Sequence, residues 1–295
     1  MTLRAVASAV AAALLVWLTP VAAHDPSLRI EREGQPAIRL VVLVAVDQFR
    51  ADYLRRFESD YTGGLHRLLT RGAVFTSAYL EHSPTVTAVG HATMLSGATP
   101  SVSGIIGNEW FDRDTGTPVQ SITDRTVTLL GGPGPGASPR RLLATTVGDE
   151  LKMAAPRGDA ARTPRVYAIS MKDRSAILSA GRGADGAFWL TAPDGPFVSS
   201  TYYFPVLPAW VTAFNTRPGT PKGGGPVDTN ARVLALAAEA IAAERLGQRG
   251  VTDLLSVRRN TWLFRTVDNE IVNSKVTCCS TTSAIIEFYC MGAIG

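Results

Sequence analysis

The rhythm of hydrophobic and polar positions changes several times along the chain, and each change predicts an element. Ile38 to Val46 is continuously apolar and ends at Asp47, the pattern of a strand buried on both faces in a parallel sheet. Helical patterns follow at 51–57 and 64–71, the second with Leu65, Leu68 and Leu69 on one stripe. Residues 72–79 read as the next strand, and 88–97 as a short helix with Thr87 at or near its start. A helix over 146–155, a buried strand from Arg165 to Ser170 and a shorter strand from Ala187 to Leu190 come next. Gly131 to Pro139 and Thr216 to Pro226 are rich in Gly and Pro and are predicted to be exposed loop or linker. Asp228 to Leu246 is the clearest helix: Asp228 caps it, Ala and Leu fill it, and Gly247 stops it. Thr252 to Val257 begins another strand. Strands alternating with helices predict an α/β fold, and no internal repeat is present.

The two ends differ from this middle. Met1 to Ala23 carries Arg4, an apolar run from Ala5 to Leu18 and the small residues Val21-Ala22-Ala23, the pattern of a cleaved secretory signal. The run is shorter than the ~20 residues of a membrane span, so an exported chain, periplasmic or extracellular and without a stable span after cleavage, is expected. At the other end, no arginine follows Arg265 and no proline follows Pro226, while Cys278, Cys279 and Cys290 are the chain's three cysteines. The expected organisation is therefore a signal over 1–23, an α/β body over 24–257 and an atypical tail over 258–295, either frameshifted or foreign to the body or a genuine but unusual strand region. With no cysteine before residue 278, the body owes nothing to disulfides. A formal charge of +4 without a basic block disfavours nucleic acid as a partner and suits a small anionic substrate.

Candidate chemistry begins where the first strand ends. A strand-end carboxylate, Asp47, and a hydroxyl at a helix start, Thr87, are what a metal-activated oxygen nucleophile requires, because the ion lowers the hydroxyl pKa and helix-start N–H groups attract anions. The plainer alternative is that Thr87 caps its helix. Asn108, 21 residues after Thr87 at the end of a Gly-rich loop, has an amide able to donate to an anionic oxygen. Lys172 and Arg174 flank Asp173 just after the strand ending at Ser170. In an extended segment they would point the same way and suit a phosphate dianion; a solvated turn is the other reading.

Taken together, Val46-Asp47-Gln48-Phe49-Arg50-Ala51-Asp52-Tyr53-Leu54, Pro84-Thr85-Val86-Thr87-Ala88-Val89-Gly90-His91 and Gly104-Ile105-Ile106-Gly107-Asn108-Glu109-Trp110 resemble the alkaline phosphatase superfamily, in its type I phosphodiesterase/nucleotide pyrophosphatase branch. Met171-Lys172-Asp173-Arg174-Ser175-Ala176-Ile177-Leu178, Leu207-Pro208-Ala209-Trp210-Val211 and Gly250-Val251-Thr252-Asp253-Leu254-Leu255-Ser256-Val257 resemble its phosphate-irrepressible alkaline phosphatases, which are periplasmic phosphomonoesterases. The resemblance covers roughly residues 38–257. It implies an alkaline phosphatase-like mixed or parallel sheet sandwiched by helices, incomplete at the C-terminus.

The resemblance also implies roles. Asp47 is a zinc ligand, Thr87 both zinc ligand and nucleophile, Asn108 a donor to a phosphoryl oxygen, and Lys172 and Arg174 the holders of a monoester dianion. The implied reaction is hydrolysis of small phosphate esters through a phospho-threonine and two Zn2+ ions. The family's remaining ligands, an Asp-x-x-x-His, an Asp-His pair and a distant His, are expected after Val257, and this chain has none of them. Its histidines are His24, His66, His82 and His91. The expectation is therefore a truncated phosphomonoesterase with little activity and marginal stability. The alternatives are a phosphodiesterase or nucleotide pyrophosphatase of the same branch and a non-catalytic phosphate-binding remnant.

Overall fold

The computed structural model describes residues 38–47, 49–218, 226–260 and 286–291; of 226–228, 260 and 286–291 only the backbone is described. The expected signal at 1–23 lies outside these residues. The chain forms nine strands and eight α-helices among the described residues. In order they are β1 (Leu40–Asp47), α1 (Tyr53–Arg56), α2 (Gly64–Arg71), α3 (Thr87–Ser96), α4 (Pro100–Ser103), β2 (Glu109–Asp112), β3 (Thr117–Gln120) and β4 (Leu129–Leu130). There follow α5 (Val147–Met153), β5 (Val166–Ser170), α6 (Asp173–Ala180), β6 (Gly186–Leu190), β7 (Phe197–Ser200), α7 (Ala209–Thr216), α8 (Pro226–Ala243), β8 (Asp253–Asn260) and β9 (Ile286–Met291).

Seven strands make one mixed sheet in the order β4-β7-β6-β5-β8-β1-β9. Its centre is parallel: β1 pairs with β8 from Leu40↔Asp253 to Asp47↔Asn260, and β5 with both β8 and β6. The antiparallel pairs are β6–β7 and β4–β7. The continuous apolar run of β1 is explained by this position, since a parallel strand with helices on both faces has no solvent side.

On one face, α7 and α8 bury Val211, Phe214, Val233, Leu236 and Ala240 against Tyr167, Ile169, Phe188 and Leu255. On the other, α3 and α6 pack Ala88, Val89, Ala92, Ala176 and Ile177 over Ala168, Ala187 and Trp189. The small residues Ala88, Ala92, Ala176 and Ala180 let α3 and α6 lie close together. Both helices then start at the carboxyl end of the parallel strands, where ligands bind in open α/β sheets.

Several predicted elements differ from those observed. Residues 72–79 form no strand; Phe75 and Tyr79 are each 82% exposed, and both sides of β1 are already taken by β8 and β9. The Gly-rich stretch 131–139 is not a free linker: Gly136, Ala137, Ser138 and Pro139 are buried, and a Cβ on Gly136 would fall 1.8 Å from the Val127 carbonyl oxygen. Helix α8 begins at Pro226, so Asp228 lies inside its first turn, and it ends at Ala243 before a turn that closes at Gly247 with φ +73°. Proline fits a first helical turn because its missing N–H has no partner there in any case. Strand β8 crosses the predicted boundary at 257 and continues through Arg258 and Arg259, and β9 runs parallel along β1. The β2–β3 hairpin, β4, β7 and α7 were not anticipated. The hairpin had a local signal in Asp112-Arg113-Asp114-Thr115-Gly116: Asp112 Oδ1 accepts from the Asp114 and Thr115 N–H groups, and Gly116 takes φ +66°.

Candidate active site

Asp47 is the last residue of β1, and Thr87 is the first of α3. The Thr87 hydroxyl does not cap its helix; Val86 holds the cap position, extended and with no side-chain bond. Instead Thr87 Oγ1 lies 3.4 Å from Asp47 Oδ2 and points its donor at that carboxylate. The reading of Thr87 as an ordinary cap is thereby removed. Asn108 serves α3 from outside: its Oδ1 accepts the Ala88 N–H at 2.9 Å. That bond fixes which way the amide points, so the Asn108 NH2 group is the side free to donate elsewhere.

Lys172 and Arg174 reach the same end of the sheet by a route different from the one the sequence suggested. The segment is not extended through Arg174. Lys172 occupies the cap position of α6 with extended backbone, and Asp173 and Arg174 form the first helical turn. The Lys172 N–H donates to Ser170 Oγ at 3.1 Å, which ties the turn to the end of β5. Arg174 Nη1 lies 3.6 Å from Asp173 Oδ1.

A further cation sits under this group. Arg258, on β8, is aligned with Ala45 across the parallel ladder. It therefore projects to the same face as Asp47, two residues further along β1. Its Nη2 donates to Asp47 Oδ2, and the side chain is 1% exposed. Sequence reasoning missed this residue because it placed Arg258 at the start of the tail. The available signal was a charged pair, Arg258-Arg259, directly continuing an apolar strand, since arginines are almost never fully buried without partners.

The charges of this cluster act on one another. Lys172 is held below its ordinary pKa, first by burial and then by the neighbouring positive charges of Arg258 and Arg174. His91, buried one turn into α3, is pulled down to about 4 by burial and then by Arg258, against the pull of its bond to the Thr87 carbonyl. It is neutral at pH 7, so Nδ1 donates to Thr87 O at 2.8 Å. Arg258 is itself lowered by burial, with Asp47 opposing and Arg174 adding to the shift. Asp47, Thr87, Asn108, Lys172 and Arg174 are thus linked through α3, α6 and the ends of β1 and β5 into one neighbourhood.

A zinc ion does not fit the described residues. Zinc takes three or four protein ligands, whereas no group of three His, Cys, Asp or Glu is placed to hold a metal among the described residues. His91 is fully buried within α3, with Nδ1 bonded to the Thr87 carbonyl, and no two further His, Cys, Asp or Glu side chains group with it among the described residues. The oxygens of Asp47 and Thr87 remain, and Asp47 is already bonded to a guanidinium.

Residues 41–259 match the family model for type I phosphodiesterase / nucleotide pyrophosphatase. Alkaline phosphatase PafA of Elizabethkingia meningoseptica is 41% identical over 206 residues, 68% of this chain and 37% of that protein. Alkaline phosphatase PhoV of Synechococcus elongatus is 41% identical over 196 residues, 65% of this chain and 34% of that protein. The crystal structure of wild-type PafA superposes with a TM-score of 0.67 at 32% identity, covering 76% of this chain and 53% of that one. A PafA form in which a threonine, an asparagine, a lysine and an arginine are substituted superposes with a TM-score of 0.68 at 31% identity, with the same coverage. The matched stretch is little more than a third of the length of these curated relatives. No helix among the described residues is long and apolar enough to cross a membrane.

Proposed function

Since the chain belongs to the type I phosphodiesterase/nucleotide pyrophosphatase family of the alkaline phosphatase superfamily, we propose that it carries the phosphoryl-accepting half of a phosphate monoesterase site. In this reading Thr87 Oγ1 forms the bond to phosphorus as the bond to the leaving alcohol breaks, and water later releases phosphate from the phospho-threonine. Asn108 donates its amide N–H to a non-bridging oxygen. Lys172 and Arg174 hold the dianion, and positioned cations of this kind supply most of what phosphoryl transfer needs from a protein.

One observation carries the proposal: Thr87, Asn108, Lys172 and Arg174 repeat the residue types substituted together in the PafA variant, with the same separations of 21 residues between Thr and Asn and two between Lys and Arg. The paired cations favour a monoester over a diester, because only the monoester presents a second ionised oxygen for the second cation. Zinc, export to the periplasm and the family's full activity belong to the expectation from resemblance.

Binding of p-nitrophenyl phosphate and of bis(p-nitrophenyl) phosphate to the full chain tests the reading by calorimetry. The monoester is expected to bind about tenfold tighter or better, and Lys172→Ala to erase the preference. Any turnover of p-nitrophenyl phosphate must vanish in Thr87→Ala. Equal binding of the two esters, or turnover that survives Thr87→Ala, overturns the assignment.

The Arg258–Asp47 pair favours a second reading, in which this chain binds phosphate without processing it. Phosphate binding that Lys172→Ala removes, with turnover absent in both proteins, is its signature.

A further inference from the structure

Arg258 stands where the resemblance calls for a metal. Its Nη2 donates to the same Asp47 oxygen, Oδ2, that Thr87 Oγ1 approaches at 3.4 Å. The pair is buried, with the Arg258 side chain 1% and the Asp47 side chain 9% exposed. The placement follows from the parallel β1–β8 ladder and does not depend on a mobile surface chain: Arg258 is aligned with Ala45, one alternate position before Asp47. Its neighbour Arg259 is aligned with Val46 and is also 1% exposed. Burying a guanidinium is tolerated only beside a compensating charge or acceptor, and the Asp47 carboxylate meets that need.

We propose that the Arg258 guanidinium takes the cation's place at Asp47, so that this chain presents a metal-independent site for a phosphate-type dianion. The inference rests on the anion-binding reading of Thr87, Asn108, Lys172 and Arg174 given above. A divalent ion would have to displace a buried charge partner from Asp47 and would then find too few ligands among the described residues. The anion does not need that displacement. Three cations, Arg258, Arg174 and Lys172, face two carboxylates, Asp47 and Asp173, so like charges repel across this neighbourhood. A dianion seated at the start of α3 relieves this repulsion and meets the partial positive charge of the helix start. Arg258, being buried, acts through Asp47 and the local field; it is a positioning residue and does not touch the anion.

Titration of the full chain with inorganic phosphate, once in EDTA and once with excess zinc, decides the matter, together with a direct zinc titration. The expected result is the same phosphate affinity in both conditions and no stoichiometric zinc uptake. Phosphate binding that requires zinc overturns this inference and leaves the monoester reading standing. Stoichiometric zinc uptake abolished by Asp47→Asn does the same. No phosphate binding in either condition removes the anion-site reading and this inference with it. Asp47→Asn adds a test by sign: if Asp47 balances Arg258, the substitution frees positive charge and tightens phosphate binding by about fivefold. If Asp47 holds a metal that in turn holds phosphate, the same substitution weakens binding. The paired titrations use the unaltered chain, so the outcome stands even if the substituted protein folds poorly.

Discussion

Two buried aspartates sit at opposite ends of the same parallel pair of strands, and they do different work. Asp253 opens β8, and Asp47 closes β1. Each has an arginine partner, Arg249 for Asp253 at 2.6 Å and Arg258 for Asp47. The carboxylate of Asp253 also accepts the backbone N–H groups of Arg165 at 2.7 Å and Gly247 at 2.8 Å. It therefore ties the entry of β5 and the turn after α8 to the start of β8. Asp47 is met by side chains: a guanidinium from the next strand and a hydroxyl at a helix start. A carboxylate satisfied by backbone donors holds a scaffold. One satisfied by a guanidinium from the next strand and a hydroxyl at a helix start sets the charge of a site. The contrast also follows the architecture, since the carboxyl ends of parallel strands face helix N-termini and the amino ends do not.

The comparison breaks most visibly through Asp253→Ala. Removing one partner of a buried, hydrogen-bonded pair is expected to cost about 3–5 kcal/mol in a urea melt. Phosphate affinity of the folded fraction should stay within about twofold, as for distant sites. A loss of phosphate binding at full folding would show that the two ends are coupled.

At the site end, His91 supplies a stability that depends on pH. Its folded-state value of about 4 lies below the ordinary 6.5. As pH falls from 6.5 toward 4, the unfolded chain takes up a proton that the folded chain refuses, and stability declines by up to about 3 kcal/mol. Below about pH 4 this contribution is constant. Urea midpoints measured across that window should slope for the unaltered chain and flatten in His91→Gln, which cannot take the proton.

Lys172→Ala should act the other way round from Asp253→Ala. A charge-assisted hydrogen bond of about 1.5–3 kcal/mol is lost from the complex, so phosphate affinity falls by about tenfold or more while the urea midpoint barely moves. Because Lys172 lies below its ordinary pKa, phosphate affinity of the unaltered chain should begin to fall, as pH rises, earlier than a solvated lysine would dictate.

Asn108→Ala has the smallest effect and falls between the two classes. It withdraws the acceptor for the Ala88 N–H, at about 1 kcal/mol for a lost helix cap, and it removes a donor to the anion. A variant with full stability and full affinity would show that Asn108 supports neither α3 nor the anion.

Local pattern was informative wherever burial left a periodic trace. The apolar run of β1, the helices α3 and α5, the buried strand β5 and the helix α8 all leave such a trace, since short-range spacing reports which face meets the core. Thr87 and Asp47 were visible for the same reason, each at a boundary between pattern types. The strand expected at 72–79 was a failure of that logic, because Val74, Phe75 and Tyr79 have the right composition but find no partner strand. Lys172 and Arg174 were found with the wrong premise: a helix start, and no extended segment, brings them to the sheet end.

The amino-acid sequence by itself determined the α/β alternation, the family to which the chain belongs and the residue types at the carboxyl end of the sheet, because those properties live in spacing along one chain. Tertiary structure alone decided which strand lies beside β1, and with it that a guanidinium 211 positions away bonds Asp47. Ladder register is a long-range property, set by how whole faces pack, and no local window of residues contains it.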